Sequence, residues 1–186
     1  MKKVNMSCKS DRVKHESDVS GKAKSGLWGE TWIAKTDAGT PVHVFIPKGD
    51  HPERKRYFCH GLALGTYERY GYTVFSGVYM YRVLRDEWEK LSYDANVRPG
   101  DICVWWDKDQ PMHSALVKTA HNNRLNIELR TKNGAEEEQV SSLKRVDLTY
   151  KSHPNNCVDY HFYRRRRPIV DSPRDRIPRD KWCVIL

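Results

Sequence analysis

Arg98-Pro-Gly-Asp-Ile-Cys-Val-Trp-Trp106, a short loop and then His113-Ser-Ala-Leu-Val-Lys-Thr119 form the stretch whose reading decides the fold. Ile102 to Trp106 and His113 to Thr119 are runs of strand length rich in β-branched and aromatic residues, and Pro99-Gly100-Asp101 is the punctuation before the first of them. Leu125-Asn-Ile-Glu-Leu-Arg-Thr131 follows with apolar and polar residues alternating, and Asn122-Asn123 marks a tight turn ahead of it. Three strands with short connections predict an antiparallel meander, with His113 as the first residue of its middle strand.

Upstream the period changes. Met80, Val83, Leu84, Trp88 and Leu91 form one apolar stripe behind Ser76, a good N-cap, so a helix is expected there with its stripe in the core. A shorter helical pattern runs from Tyr57 to about Tyr70 and begins near Cys59, weakened by Gly61 and Gly65. Thr31 to Ala34 and Val42 to Ile46 read as a hairpin turning at Asp37 to Pro41, and Tyr160 to Tyr163 as one last strand. The layout is α+β, with N-terminal helices packed on an antiparallel β-meander.

The chain has 186 residues, enough for one domain with a real core. Residues 1–25, rich in Lys and Ser, read as a flexible basic arm, residues 26–163 as the folded domain and residues 164–186 as a basic, Pro- and Arg-rich tail. The formal net charge of +9 gathers in those two tails, where solvated segments are commoner than specific sites, and no nucleic-acid-binding signature accompanies it. Five cysteines without paired metal-ligand spacing argue against a disulfide framework or a zinc site. The polar start of the chain shows no cleaved secretory signal, and no apolar run is long enough for a membrane helix.

Cysteine hydrolysis needs a thiolate, a base within reach of it, a polar group to orient the base and donors for the oxyanion. Cys59 at the start of a helix has a dipole to lower its pKa and free backbone N–H groups beside it. Taken alone, a free Cys in apolar company is more often a packing residue. The combination with His113 shifts that balance. His60, adjacent to Cys59, is expected to point elsewhere, because successive helix residues diverge in direction. His43, His51, His121, His153 and His161 are expected to be surface or packing residues.

The Pro-Gly-Asp strand followed by the His-initiated strand resembles the NlpC-type and CHAP-type amidohydrolases of the papain-like class. Cys59-His-Gly61 is similar to the Cys-His-Gly of a bacterial papain-like subgroup, Leu84-Arg-Asp-Glu87 to the helix after it, and Thr131-Lys-Asn-Gly134 to a Ser-Lys-Trp-Gly turn. These matches fall in the same order between Tyr57 and Tyr163. Phe58 stands where the subgroup tends to have Asn, and Asn133 where it has Trp. The resemblance implies a papain-like fold, Cys59 as nucleophile, His113 as general base, a peptide or protein amide as substrate, and no cofactor or metal.

Strand alternation narrows the third polar residue. If Ala115 and Val117 face inward with His113, and Leu125, Ile127 and Leu129 do so on the next strand, Thr131 and Asn133 share that face and Lys132 points away. Asn133 is preferred, because its side-chain carbonyl can accept from the second imidazole nitrogen; Thr131 is the alternative and Asp159 the reserve.

Cys183-Val-Ile-Leu186 fits a prenylation pattern, with Cys183 as the lipidated residue and the Arg-rich stretch as a second, electrostatic signal toward anionic membrane. The chain is thus expected to be a monomeric cysteine peptidase, amidase, deamidase or acyltransferase. It would be cytoplasmic in its producer or delivered as an effector or toxin without a cleaved signal, and membrane-associated in a eukaryotic cytosol. The rival is a non-enzymatic basic adaptor for nucleic acid or anionic membrane.

Overall fold

The computed structural model describes residues 28–48, 57–71, 73–74, 76–120, 126–134, 136–151 and 158–166. The N-terminal arm, the tail beyond residue 166 with Cys183, the Asn122-Asn123 turn, and His51, His121 and His153 lie outside the described residues.

The fold is α+β and its sheets are antiparallel. Strands β1 (Trp28–Lys35) and β2 (Pro41–Lys48) form the expected hairpin, and the two-residue β3 (Thr73–Val74) pairs with β2, setting Val74 opposite Val44. The helix expected from Tyr57 to Tyr70 is divided into α1 (Cys59–Leu64) and α2 (Thr66–Tyr70). Gly65 makes the break, with φ of 65° in the left-handed region that glycine adopts without steric cost.

Helix α3 (Gly77–Glu87) buries Met80, Val83 and Leu84 as the stripe predicts. The stripe does not continue through Trp88 and Leu91. The chain becomes extended at Trp88 and forms β4 (Trp88–Lys90), because β9 (Val158–Arg165) offers it a ladder and Leu91 N–H donates to the Phe162 carbonyl at 2.8 Å.

The remaining elements are β5 (Ile102–Asp107), β6 (Gln110–Ala120), β7 (Ile127–Thr131), β8 (Gln139–Ser142) and α4 (Leu143–Lys151). The larger sheet runs β4-β9-β5-β6-β7-β8, so the meander is present and β9 returns to lie beside β5. β6 begins at Gln110, so His113 is inside the strand and opposite Trp105. Residues expected to form the loop after Trp106 continue the ladder instead, Pro111 opposite Trp106 and Asp107 opposite Gln110, beyond a bulge at Trp105/Trp106.

Alternation loads both faces of this sheet. Ile102 and Val104 pack with Val83, Leu84, Val42 and Val44, while Cys103, Trp105, Ala115, Val117 and Leu129 pack with Leu143 and Val146 of α4.

The Arg run is part of the fold at its start, which corrects the boundary expected at residue 164. Arg164 and Arg165 are the last residues of β9. Arg164 grips the buried Asp101 with two bonds, Nε to Oδ1 at 2.9 Å and Nη2 to Oδ2 at 2.7 Å, and Asp101 also accepts from the Arg98 N–H. Arg165 reaches the buried Glu87 at 3.1 Å. The Pro-Gly-Asp turn is therefore tied to β9 by a bidentate, charge-assisted pair. Arg164→Ala leaves the Asp101 carboxylate buried without its partner, and is expected to cost about 2 kcal/mol in chemical denaturation. An unchanged midpoint would show that water replaces the guanidinium at no cost.

Candidate active site

Helix α1 packs across β6 and β7 and carries Cys59 as its first residue. Phe58, ahead of it, has extended backbone and brings no polar side chain to the first turn. Cys59 is 9% exposed, and His113 and Thr131 are also buried. His113 Nε2 lies 2.7 Å from Thr131 Oγ1, which leaves Nδ1 as the nitrogen that can serve the thiol.

Burial by itself pushes the Cys59 thiol up. The charge of His60, a hydrogen bond with His113 and the charge of His113 outweigh it, and the thiol is held well below its ordinary value. Thiolate nucleophiles occur in such electropositive surroundings, whereas structural cysteines buried in apolar ones are inert. Cys103 is in no disulfide and is fully buried within the core under α4.

The structure brings together Cys59, His113 and Thr131, and places the other two candidates elsewhere. Ile127, Leu129 and Thr131 alternate inward on β7, but the strand ends at Thr131 and the alternation ends with it. Asn133 is exposed, and its Oδ1 accepts from the Tyr150 hydroxyl at 3.4 Å. Lys132 turns away from His113, as expected, yet it is fully buried. Its Nζ donates to the Glu136 carbonyl and sits 4.7 Å from the centre of the Tyr57 ring. Asp159 pairs with Trp106 and is exposed; Val158, Tyr160 and Phe162 are the β9 residues that face the Trp105 side. Asn133 and Asp159 are thus corrected as partners of His113, and Thr131 takes that position with a hydroxyl lone pair in place of an amide carbonyl.

Two residues of the site were missed. Tyr150 on α4 stacks on His113 with ring centres 4.6 Å apart and planes 23° from parallel, and Trp105 packs on the same imidazole at 5.4 Å. Burial, the nearby Cys59 and Glu136 all push the Tyr150 phenol up, so it stays neutral beside the thiol. Leu143, Val146 and Tyr150 carry a helical i, i+3, i+7 spacing that could have revealed α4.

His60 is the other, and it overturns the expectation that it points elsewhere. It is buried, with Nδ1 3.8 Å from Cys59 Sγ and 2.8 Å from Ser114 Oγ. Divergence along a helix separates Cβ directions, but at the first turn an imidazole is long enough to return to the preceding sulfur. His43 behaves as a packing residue, stacked on Tyr79 at 4.5 Å.

No group of His, Cys, Asp or Glu able to hold a metal is present among the described residues. No helix among them is long and apolar enough to cross a membrane. Comparison of the chain with protein families, with curated proteins and with solved structures finds no match.

Proposed function

We propose that this chain is a papain-like cysteine hydrolase acting on an amide bond, as peptidase, amidase or deamidase. The observation that carries this reading is the convergence of Cys59, His113 and Thr131 from α1, β6 and β7, with a depressed thiol pKa at their meeting point. Cys59 Sγ attacks the carbonyl carbon and the carbonyl π electrons move to oxygen, where backbone N–H groups at the start of α1 receive the charge. His113 gives a proton to the departing nitrogen as the C–N bond breaks. It then takes one from water, whose oxygen attacks the thioester and releases the acid and the thiolate. Thr131 holds the imidazole orientation, and Tyr150 and Trp105 limit its rotation by packing.

The test is a thiol-selective electrophile applied to the full chain at pH 6, with the modified peptide mapped by mass spectrometry. Cys59 is expected to react first and Cys103 to stay silent while the protein is folded. Equal reactivity of all five cysteines would favour the basic-adaptor reading instead.

A further inference from the structure

Cys59 has a second imidazole beside it. His113 is paired through its far nitrogen with the Thr131 hydroxyl, and His60 is paired with the Ser114 hydroxyl, so two histidine–hydroxyl pairs flank one sulfur. His113 and Ser114 are consecutive on β6 and belong to opposite faces of the strand. Both pairs are buried, and water is therefore a poor substitute for either.

Resting on the hydrolase reading above, we propose that His60, positioned by Ser114, is the residue that keeps Cys59 ionised, leaving His113 to move the proton to and from substrate. The division of labour follows from contacts. His60 Nδ1 is engaged with Ser114 at 2.8 Å and the sulfur lies at the longer 3.8 Å, a placement suited to holding charge near Sγ and poorly suited to following a proton onto a leaving group. With His60 protonated, Nδ1–H donates to Ser114 Oγ and the imidazolium charge stays beside the sulfur. Ionisation needs no further reactant: the S–H bond breaks, an N–H bond forms on His60, and the charges remain as a pair; His113 enters the cycle as imidazolium, gives that proton to the departing nitrogen and regains one from the attacking water, so the His60 proton is not consumed.

The groups around the thiol agree with this assignment. His60 comes from its own helix, His113 from β6 and the neutral Tyr150 from α4; Glu136 acts on Tyr150. The charge of His60 lowers the Cys59 pKa together with the hydrogen bond and the charge of His113, against the burial that raises it. Ser114 is fully buried in the middle of a strand, where a hydroxyl with no task would be costly.

The experiment is the pH dependence of iodoacetamide alkylation of Cys59 in the full chain, for the wild type and for His60→Gln, Ser114→Ala and His113→Ala, each checked for native near-UV circular dichroism. In His60→Gln the alkylation profile is expected to move up by about one pH unit, which is roughly a tenfold slower reaction at pH 6. Ser114→Ala, which keeps the imidazole, is expected to move it the same way by less, and it decides the matter if His60→Gln does not fold. His113→Ala is expected to leave the profile below that of an ordinary thiol. A His60→Gln profile that superimposes on the wild type, or a folded Ser114→Ala profile that does so where His60→Gln fails to fold, overturns the role of His60 and leaves the hydrolase reading standing. A wild-type Cys59 that titrates as an ordinary thiol overturns both.

Discussion

His113→Ala is expected to lower amide turnover by about 10³-fold or more, since in the proposed mechanism it removes the group that carries protons to and from the reacting atoms. The measurement is release of amine or ammonia from a panel of peptide and side-chain amides, taken as kcat and KM separately on whichever member the wild type turns over. Thr131→Val keeps the shape of the side chain and removes the oxygen that lies 2.7 Å from His113 Nε2. It is expected to lower kcat by roughly 10–100-fold with little change in KM, the usual scale for a group that orients another. Asn133→Ala and Asp159→Ala are expected to stay within about twofold of wild type, because neither side chain reaches the imidazole. A wild-type rate in His113→Ala would remove the base from the mechanism. Loss in Asn133→Ala equal to that in Thr131→Val would restore the preference drawn from strand alternation alone.

That contrast shows how far the sequence could be read. Alternation correctly set Leu129 and Thr131 inward, and it failed one step later because it holds only while a ladder fixes the pleat, and β7 ends at Thr131. The hairpin, both N-terminal helical segments, β5, β6, β7 and β9 all announced themselves through apolar runs of the proper period. Of the elements that did not, Gln139-Val-Ser-Ser142 is mostly exposed and offers no apolar face, Thr73-Val74 is only a pair, and α4 carries just the thin apolar spacing of Leu143, Val146 and Tyr150. Trp88 and Leu91 fit a helical stripe as well as they fit the strand they enter, because an apolar side chain satisfies either period and the choice rests on β9, far along the chain. Arg164 and Arg165 look like tail residues in sequence, since the partners that draw them into the fold, Asp101 and Glu87, are 63 and 78 positions away. Cys59 and His113 were legible because their residue types carry chemistry. His60 was not, because its place beside the sulfur depends on Ser114, which only the packing of α1 on β6 brings near.

Gly61, the third residue of Cys59-His-Gly61, has a structural reason that can be tested with a large expected effect. It lies inside α1, where replacement of glycine by alanine would ordinarily stabilise a helix by about 1 kcal/mol. A Cβ at this position would collide with Thr73 Oγ1 and come within 2.7 Å of Thr73 Cβ and 3.2 Å of Thr73 Cα. Turning the Thr73 side chain could remove the first conflict and not the other two, and Thr73 is fully buried in β3, which is itself paired with β2. Overpacking of this kind costs about 1–3 kcal/mol and grows when backbone must move, so it exceeds the gain in helix propensity. Gly61→Ala is therefore expected to destabilise the fold by roughly 2 kcal/mol net, and Gly61→Val by more, with the added loss of a β-branched residue in a short helix. Relief of the clash requires α1 to move off β3, and α1 carries Cys59, so the alkylation rate of Cys59 should fall in Gly61→Ala even under conditions where it remains folded. Thr73→Gly in the same chain should return part of both losses, a coupling that a double-mutant cycle on denaturant midpoints would read directly. A Gly61→Ala variant more stable than wild type would mean that helix propensity prevails and that close approach of α1 to β3 is not what the glycine provides.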